Sequence, residues 1–78
     1  MPPLPVLKPK TVLRALQSAG FYIHHQSGSH ARLFHHSRPE LRVTIPMHNK
    51  DLPAKTLKSI VRQAGMSVEE FIGLLQKP

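Results

Sequence analysis

Phe21-Tyr22-Ile23-His24-His25-Gln26, then Ser27-Gly28-Ser29-His30, then Ala31-Arg32-Leu33-Phe34-His35 is the stretch on which the fold turns. Phe21, Ile23, Leu33 and Ala31 alternate with Tyr22, His24 and Arg32, a period of two that predicts two strands, Phe21 to Gln26 and Ala31 to His35. The two meet at Ser27-Gly28-Ser29, so Gly28-Ser29-His30 is expected to hold an imidazole on a tight turn at the end of a rigid sheet. Histidine is the side chain whose ordinary charge change falls near physiological pH.

Working outward, Leu41, Val43 and Ile45 alternate with Arg42 and Thr44 and predict a third strand, reached through the turn-forming Ser37-Arg38-Pro39-Glu40 and ended by Pro46. On the other side, Val12, Leu16 and Ala19 recur at helical spacing, with Leu13 and Ala15 widening the apolar face and Lys10, Arg14 and Gln17 opposite. Pro9 presets the first turn of that helix and Gly20 stops it. Beyond the connector Met47-His48-Asn49-Lys50-Asp51, the stripe Leu57, Ile60, Val61 and Ala64 predicts a second helix closed by Gly65. Ser67 with Glu70 reads as a capping box, opening a short third helix with Val68, Phe71, Ile72 and Leu75 on one side.

The order α-β-β-β-α-α, with helices that can bury their stripes only against one face of a three-stranded antiparallel sheet, is an α+β two-layer sandwich. Residues 1–8 read as an extended, proline-rich arm and residues 9–78 as one domain, without an internal repeat. Seventy-eight residues bury roughly 60% of the unfolded surface on folding, so the core is small. With no cysteine there is no disulfide or thiolate metal site to reinforce it. The opening residues are neither long nor apolar enough for a signal sequence, and no run approaches about 18 apolar residues. A cytoplasmic protein is expected.

The formal charge is +7. Ten of the eleven Lys and Arg but two of the four acids lie in residues 1–66, so that part carries +8 and residues 67–78 carry −1. Such a field draws polyanions, with RNA, DNA or an acidic protein as the natural partners and a strong salt dependence. Lys55, Lys58 and Arg62 stand at i, i+3 and i+7 on the polar side of the second helix. Like charges at that spacing are mildly unfavourable to an isolated helix, which a bound polyanion would relieve. The same stripe is also what an ordinary solvated face looks like. Six histidines without a cysteine, without a helical H-x₃-H pair and without a carboxylate among them do not form a metal-ligand pattern. No metal and no cofactor is expected.

Several segments stand out together: Leu4-Pro5-Val6 through Val12-Leu13-Arg14-Ala15-Leu16, the junction Ala19-Gly20-Phe21, the turn Gly28-Ser29-His30, and Val43-Thr44-Ile45-Pro46-Met47-His48. Asp51-Leu52, Thr56-Leu57, Ile60 through Ser67, and Glu70-Phe71 complete the set, whose order and spacing are more specific than any single fragment. In that order they resemble one family, the HicA-type (YcfA-like) toxins, mRNA interferases of type II toxin–antitoxin pairs. The resemblance implies a double-stranded-RNA-binding-domain-like fold, ribonuclease activity, a catalytic histidine in the Gly-Ser-His turn and a cognate antitoxin of HicB type. Leu52-Pro53-Ala54-Lys55 departs from the glycine-containing stretch often found before the position of Thr56.

Cleaving RNA without a metal needs a base for the 2′-hydroxyl proton, cations for the phosphorane charge and an acid for the leaving 5′-oxygen. His30 is the expected catalytic group, with RNA contact alone as the other role open to it. His48, after the third strand, is either a second acid or phosphate ligand, or a solvated loop residue. Gly28 and Ser29 in the turn, Arg32 and Lys50 beside it, and Lys55, Lys58 and Arg62 are the expected RNA contacts. Adjacent histidines on a strand point to opposite faces, so at most one each of His24/His25 and His35/His36 is expected to join a site. A non-catalytic RNA-binding module of the same fold is the alternative.

Overall fold

Pro9 opens helix α1 in the computed structural model, which describes residues 3–76; Met1, Pro2, Lys77 and Pro78, at the ends of the expected arm and domain, lie outside the described residues. Helix α1 (Pro9–Ser18) follows Lys8, whose extended backbone (φ −86°, ψ 153°) lets Pro9 take the first helical position without losing a needed N–H. Gly20 then has φ +99°, and a Cβ there would sit 2.8 Å from both His35 Nε2 and His36 Cδ2. Gly20 N donates to Gln17 O while Gly20 O accepts from His36 N, so one residue ends the helix and ties it to the sheet. Residues 3–8 are not free: Leu4 and Leu7 pack on the core, and Leu7 O accepts from Leu52 N at 2.8 Å.

The sheet comprises β1 (Phe21–Ser27), β2 (His30–His35) and β3 (Arg42–Pro46), in the order β1-β2-β3 with both pairs antiparallel. Helices α2 (Ala54–Gln63) and α3 (Val68–Leu75) join α1 on one face. Between the layers Val12, Leu16, Leu33, Val43, Ile45, Leu57, Ile60 and Phe71 are shut off from solvent. This is the α+β sandwich, with the α-β-β-β-α layout and an added short helix, that the periodicity predicts. Leu74, rather than Ile72, stands with Phe71 and Leu75 on the inward side of α3, an i, i+3, i+4 set. Its capping box forms as expected: Ser67 Oγ accepts from Glu70 N at 3.0 Å and Glu70 Oε1 accepts from Ser67 N at 2.8 Å.

Two local features differ from the sequence reading, and both bear on histidines. The hairpin loop is only Gly28-Ser29, with Ser27 paired to His30. Gly28 has φ +52° and Ser29 a negative φ, the pattern of a two-residue type II′ turn, which needs no third residue. His30 is therefore the first residue of β2, paired with Ser27 on one side and Pro46 on the other, and not a turn residue. Secondly, the β1–β2 register shifts between Ile23 and His25, so His24 is the extra residue of a β-bulge. The bulge resets the alternation and puts both His24 and His25 on the solvent side, correcting the expectation that only one of them could. An unbroken strand would have turned His25 toward the helices, where an imidazole would need a buried partner.

Candidate active site

Three successive outward positions of β2, namely His30, Arg32 and Phe34, alternate with the buried Ala31 and Leu33. They therefore share the face that carries no helix. At the end of this row His30 borders an open cleft of about 340 Å³, together with Thr44 and Pro46 of β3 and Lys55, Thr56, Ser59 and Gln63 of α2. Ser29 Oγ lies 3.3 Å from His30 Nδ1, which leaves Nε2 as the nitrogen available to a ligand. Ser29 O also accepts from Met47 N, fastening the turn to the residue after β3.

The cleft is basic for reasons of both side chain and backbone. Helix α2 begins after Pro53 with no capping side chain and no acidic residue in its first turn, so its positive end is uncompensated. Lys55 adds a full charge at that end. Helix α3, with a complete box and Glu69 and Glu70 in its first turn, shows what full compensation looks like in the same chain. The ion pairs among the described residues are Lys8–Asp51 at 3.4 Å and Arg38–Glu40 at 3.0 Å, and neither lies at the cleft. Backbone N–H and Arg38 hydrogen bonds hold the Glu40 carboxyl below the usual carboxylate range, and the Ser67 N–H and hydroxyl do the same for Glu70. Two of the four acids are thus committed to local structure.

The expected site residues are brought together only in part. His30 and Lys55 share the cleft, with Gly28 and Ser29 holding His30 from behind. Lys58 and Arg62 are exposed on α2 but line another side of it. Lys50 and His48 lie in the connector, where Lys50 N donates to His48 Nδ1 at 3.3 Å, and neither lines the cleft. Arg32 lies farther along the sheet, with His24, His25, Phe34 and Arg42. His35 and His36 stack on each other at 4.8 Å, because His36 falls after β2 ends and strand alternation no longer applies. His35 Nε2 contacts Ala19 O at 2.9 Å, a bracing contact between helix and sheet.

Thr44, Ser59 and Gln63 were not singled out from the sequence. Gln63 Oε1 accepts the backbone N–H of Thr44 at 3.0 Å and its Nε2 donates to Ser59 Oγ at 3.3 Å, so the free edge of β3 is sealed by a side chain. The i, i+4, i+8 spacing of Lys55, Ser59 and Gln63, a polar line beside the Leu57-Ile60-Val61 stripe, is the signal that could have found them. Among the described residues no three of His, Cys, Asp and Glu are placed to hold a metal ion, and no helix is long and apolar enough to cross a membrane.

A family model described as HicA toxin of bacterial toxin-antitoxin matches residues 9–66, from the start of α1 to just past α2. None of the curated proteins searched matches the chain.

Proposed function

The chain belongs to the HicA toxin family and is a toxin of a bacterial toxin–antitoxin system, and from that premise we propose that it is a metal-independent endoribonuclease that cleaves mRNA with His30 as general acid or base. The observation that carries this reading is the position of His30, exposed at a cleft shared with Lys55 and the uncapped start of α2, with its Nδ1 beside Ser29 Oγ. In the proposed step the 2′-oxygen attacks the adjacent phosphorus and the bond from phosphorus to the 5′-oxygen breaks. His30 takes the 2′-hydroxyl proton or delivers one to the leaving oxygen. Lys55 and the N-terminal amides of α2 hold the charge that develops on the phosphorane. The products are a 2′,3′-cyclic phosphate and a 5′-hydroxyl.

The proposed setting is the cytoplasm, where the messages are. The proposed partner is an antitoxin of HicB type, with acidic groups laid over the basic cleft and His30; a net charge of +7 on so small a chain favours such a cover. RNA cleavage by the purified chain and by His30→Ala, both in EDTA, with end-group analysis and binding measured in parallel, tests the assignment. The wild type is expected to cut and leave 2′,3′-cyclic phosphate ends, while His30→Ala binds RNA and turns over about 10²–10⁴-fold more slowly. If neither protein cuts and both bind alike, the chain is an RNA-binding module and His30 a contact.

A further inference from the structure

The helix-free face of the sheet carries a second cluster, set apart from the His30 cleft. His24 from β1 stacks on Phe34 of β2 with ring centroids 3.9 Å apart and planes 7° apart. Arg42 from β3 holds its guanidinium carbon 5.0 Å from the centroid of the same ring. Tyr22, nearly half exposed, meets Phe34 edge-on at 6.5 Å. His24, Phe34 and Arg42, with His25 and Arg32, border a depression of about 270 Å³ that no carboxylate lines. Arg32 and Arg42 have no acidic partner among the described residues.

We propose that this depression is a nucleotide site for single-stranded RNA, in which a splayed base extends the His24–Phe34–Arg42 stack and the neighbouring phosphate is held by Arg32. Four observations favour RNA over other anions. The layers are flat and π-faced, which suits a base and is wasted on a simple anion. The cations are arginines, whose planar forks take phosphate oxygens in pairs. The bulge that projects both His24 and His25 spoils β1 as a docking edge but builds this surface. Finally, Arg32 and Phe34 continue the row that begins at His30, at about 6.6 Å per two residues, so one extended strand can run from the cleft along β2. Duplex RNA is excluded from such a site because its bases are already stacked. The proposal rests on the ribonuclease reading only for the identity of the polymer.

The test is fluorescence anisotropy with the full chain carrying His30→Ala, so that RNA is not consumed, and with His24→Ala, Arg42→Ala or Arg42→Lys added. The probes are a labelled oligouridylate, its abasic counterpart and a blunt RNA duplex. His24→Ala and both Arg42 variants are expected to weaken oligouridylate binding by about 5-fold or more, with the abasic and duplex probes insensitive to His24→Ala. Arg42→Lys belongs with the weakened set because it keeps the charge but loses the plane. Unchanged oligouridylate affinity, or equal weakening on the abasic probe, overturns the proposal. So does a loss of antitoxin binding with RNA affinity intact, which would make the face a protein contact. Should the chain with His30 restored cleave nothing while His24→Ala still weakens binding, the nucleotide site stands and the catalytic reading falls.

Discussion

Gln63, on the last turn of α2, accepts the backbone N–H of Thr44 at 3.0 Å and thereby satisfies an edge amide of β3 beside the cleft. One side chain does at this position what a neighbouring strand would do. Gln63→Ala is expected to destabilise the fold by about 1 kcal/mol, the net worth of one such bond, and to accelerate hydrogen exchange at the Thr44 amide. Gln63→Glu keeps the acceptor but places a negative charge in the cleft that Lys55 also lines. It should fold normally and bind RNA more weakly, most visibly at low salt.

The two glycines that flank β1 fail for different reasons when given a side chain. Gly28 has φ +52° with open space around it, so Gly28→Ala strains only the backbone, by about 1–2 kcal/mol. Gly20→Ala has the same kind of strain and also drives a Cβ against the His35 and His36 rings. Denaturant unfolding should find Gly20→Ala the more damaging, and His35→Ala in the same chain should recover part of the loss.

The Lys55-Lys58-Arg62 stripe separates stability from binding. Replacing Lys58 by Ala removes a like-charge neighbour of both others and should stabilise the helix by a few tenths of a kcal/mol. Where a residue of the stripe touches a single-stranded phosphate, its loss lowers the slope of log K against log salt by about 0.7. Lys55→Ala is expected to reduce cleavage more than Lys58→Ala or Arg62→Ala, because of the three only Lys55 borders the cleft with His30.

The capping box of α3 makes part of the stability depend on pH. Hydrogen bonds from the Ser67 N–H and hydroxyl hold the folded-state Glu70 carboxyl below its ordinary value. A depressed folded pKa means stabilisation that is complete above the unfolded value and is lost as the pH falls through the folded one. The stability gap between wild type and Glu70→Gln should therefore be constant near neutrality and close as the pH drops through the ordinary carboxylate range near about 4. A gap that does not move with pH would remove the charged carboxylate from the account.

Phe71 is fully buried and is the one buried residue of α3. Phe71→Ala is expected to destabilise the domain by about 3–5 kcal/mol, a large part of the stability of so short a chain, and to loosen α1, against which α3 packs. Thermal unfolding of this variant, compared with exposed controls such as Glu69→Ala, measures it.

The secondary structure was legible because each element carries its own period and its own stop. Pro9 and Gly20 bound α1, the alternation about Gly28 marks the hairpin, and Ser67 with Glu70 marks α3. Which histidines stand together was not legible. Strand alternation assigns His24 and His25 to opposite faces, and only the pairing of β1 with β2 decides that an extra residue is accommodated at His24. His36 was likewise misassigned because β2 ends at His35, where its pairing with Phe21 at the start of β1 runs out.

The sequence by itself determined the layers, the buried sides of α1 and α2, the basic balance and the presence of a tight turn at Gly28 between the first two strands. All of these follow from local periodicity, conformational preference and charge, which a chain carries whatever its partners in space. Tertiary structure alone decided that Lys55, and not Lys58, Arg62, Lys50 or His48, shares a cleft with His30, and that Gln63 seals the β3 edge. It also decided that His24, Phe34 and Arg42 form one stack across three strands. Those relationships depend on strand register and on the rotation of α2 about its axis, and both are set by how the buried side chains fit together over long sequence separations.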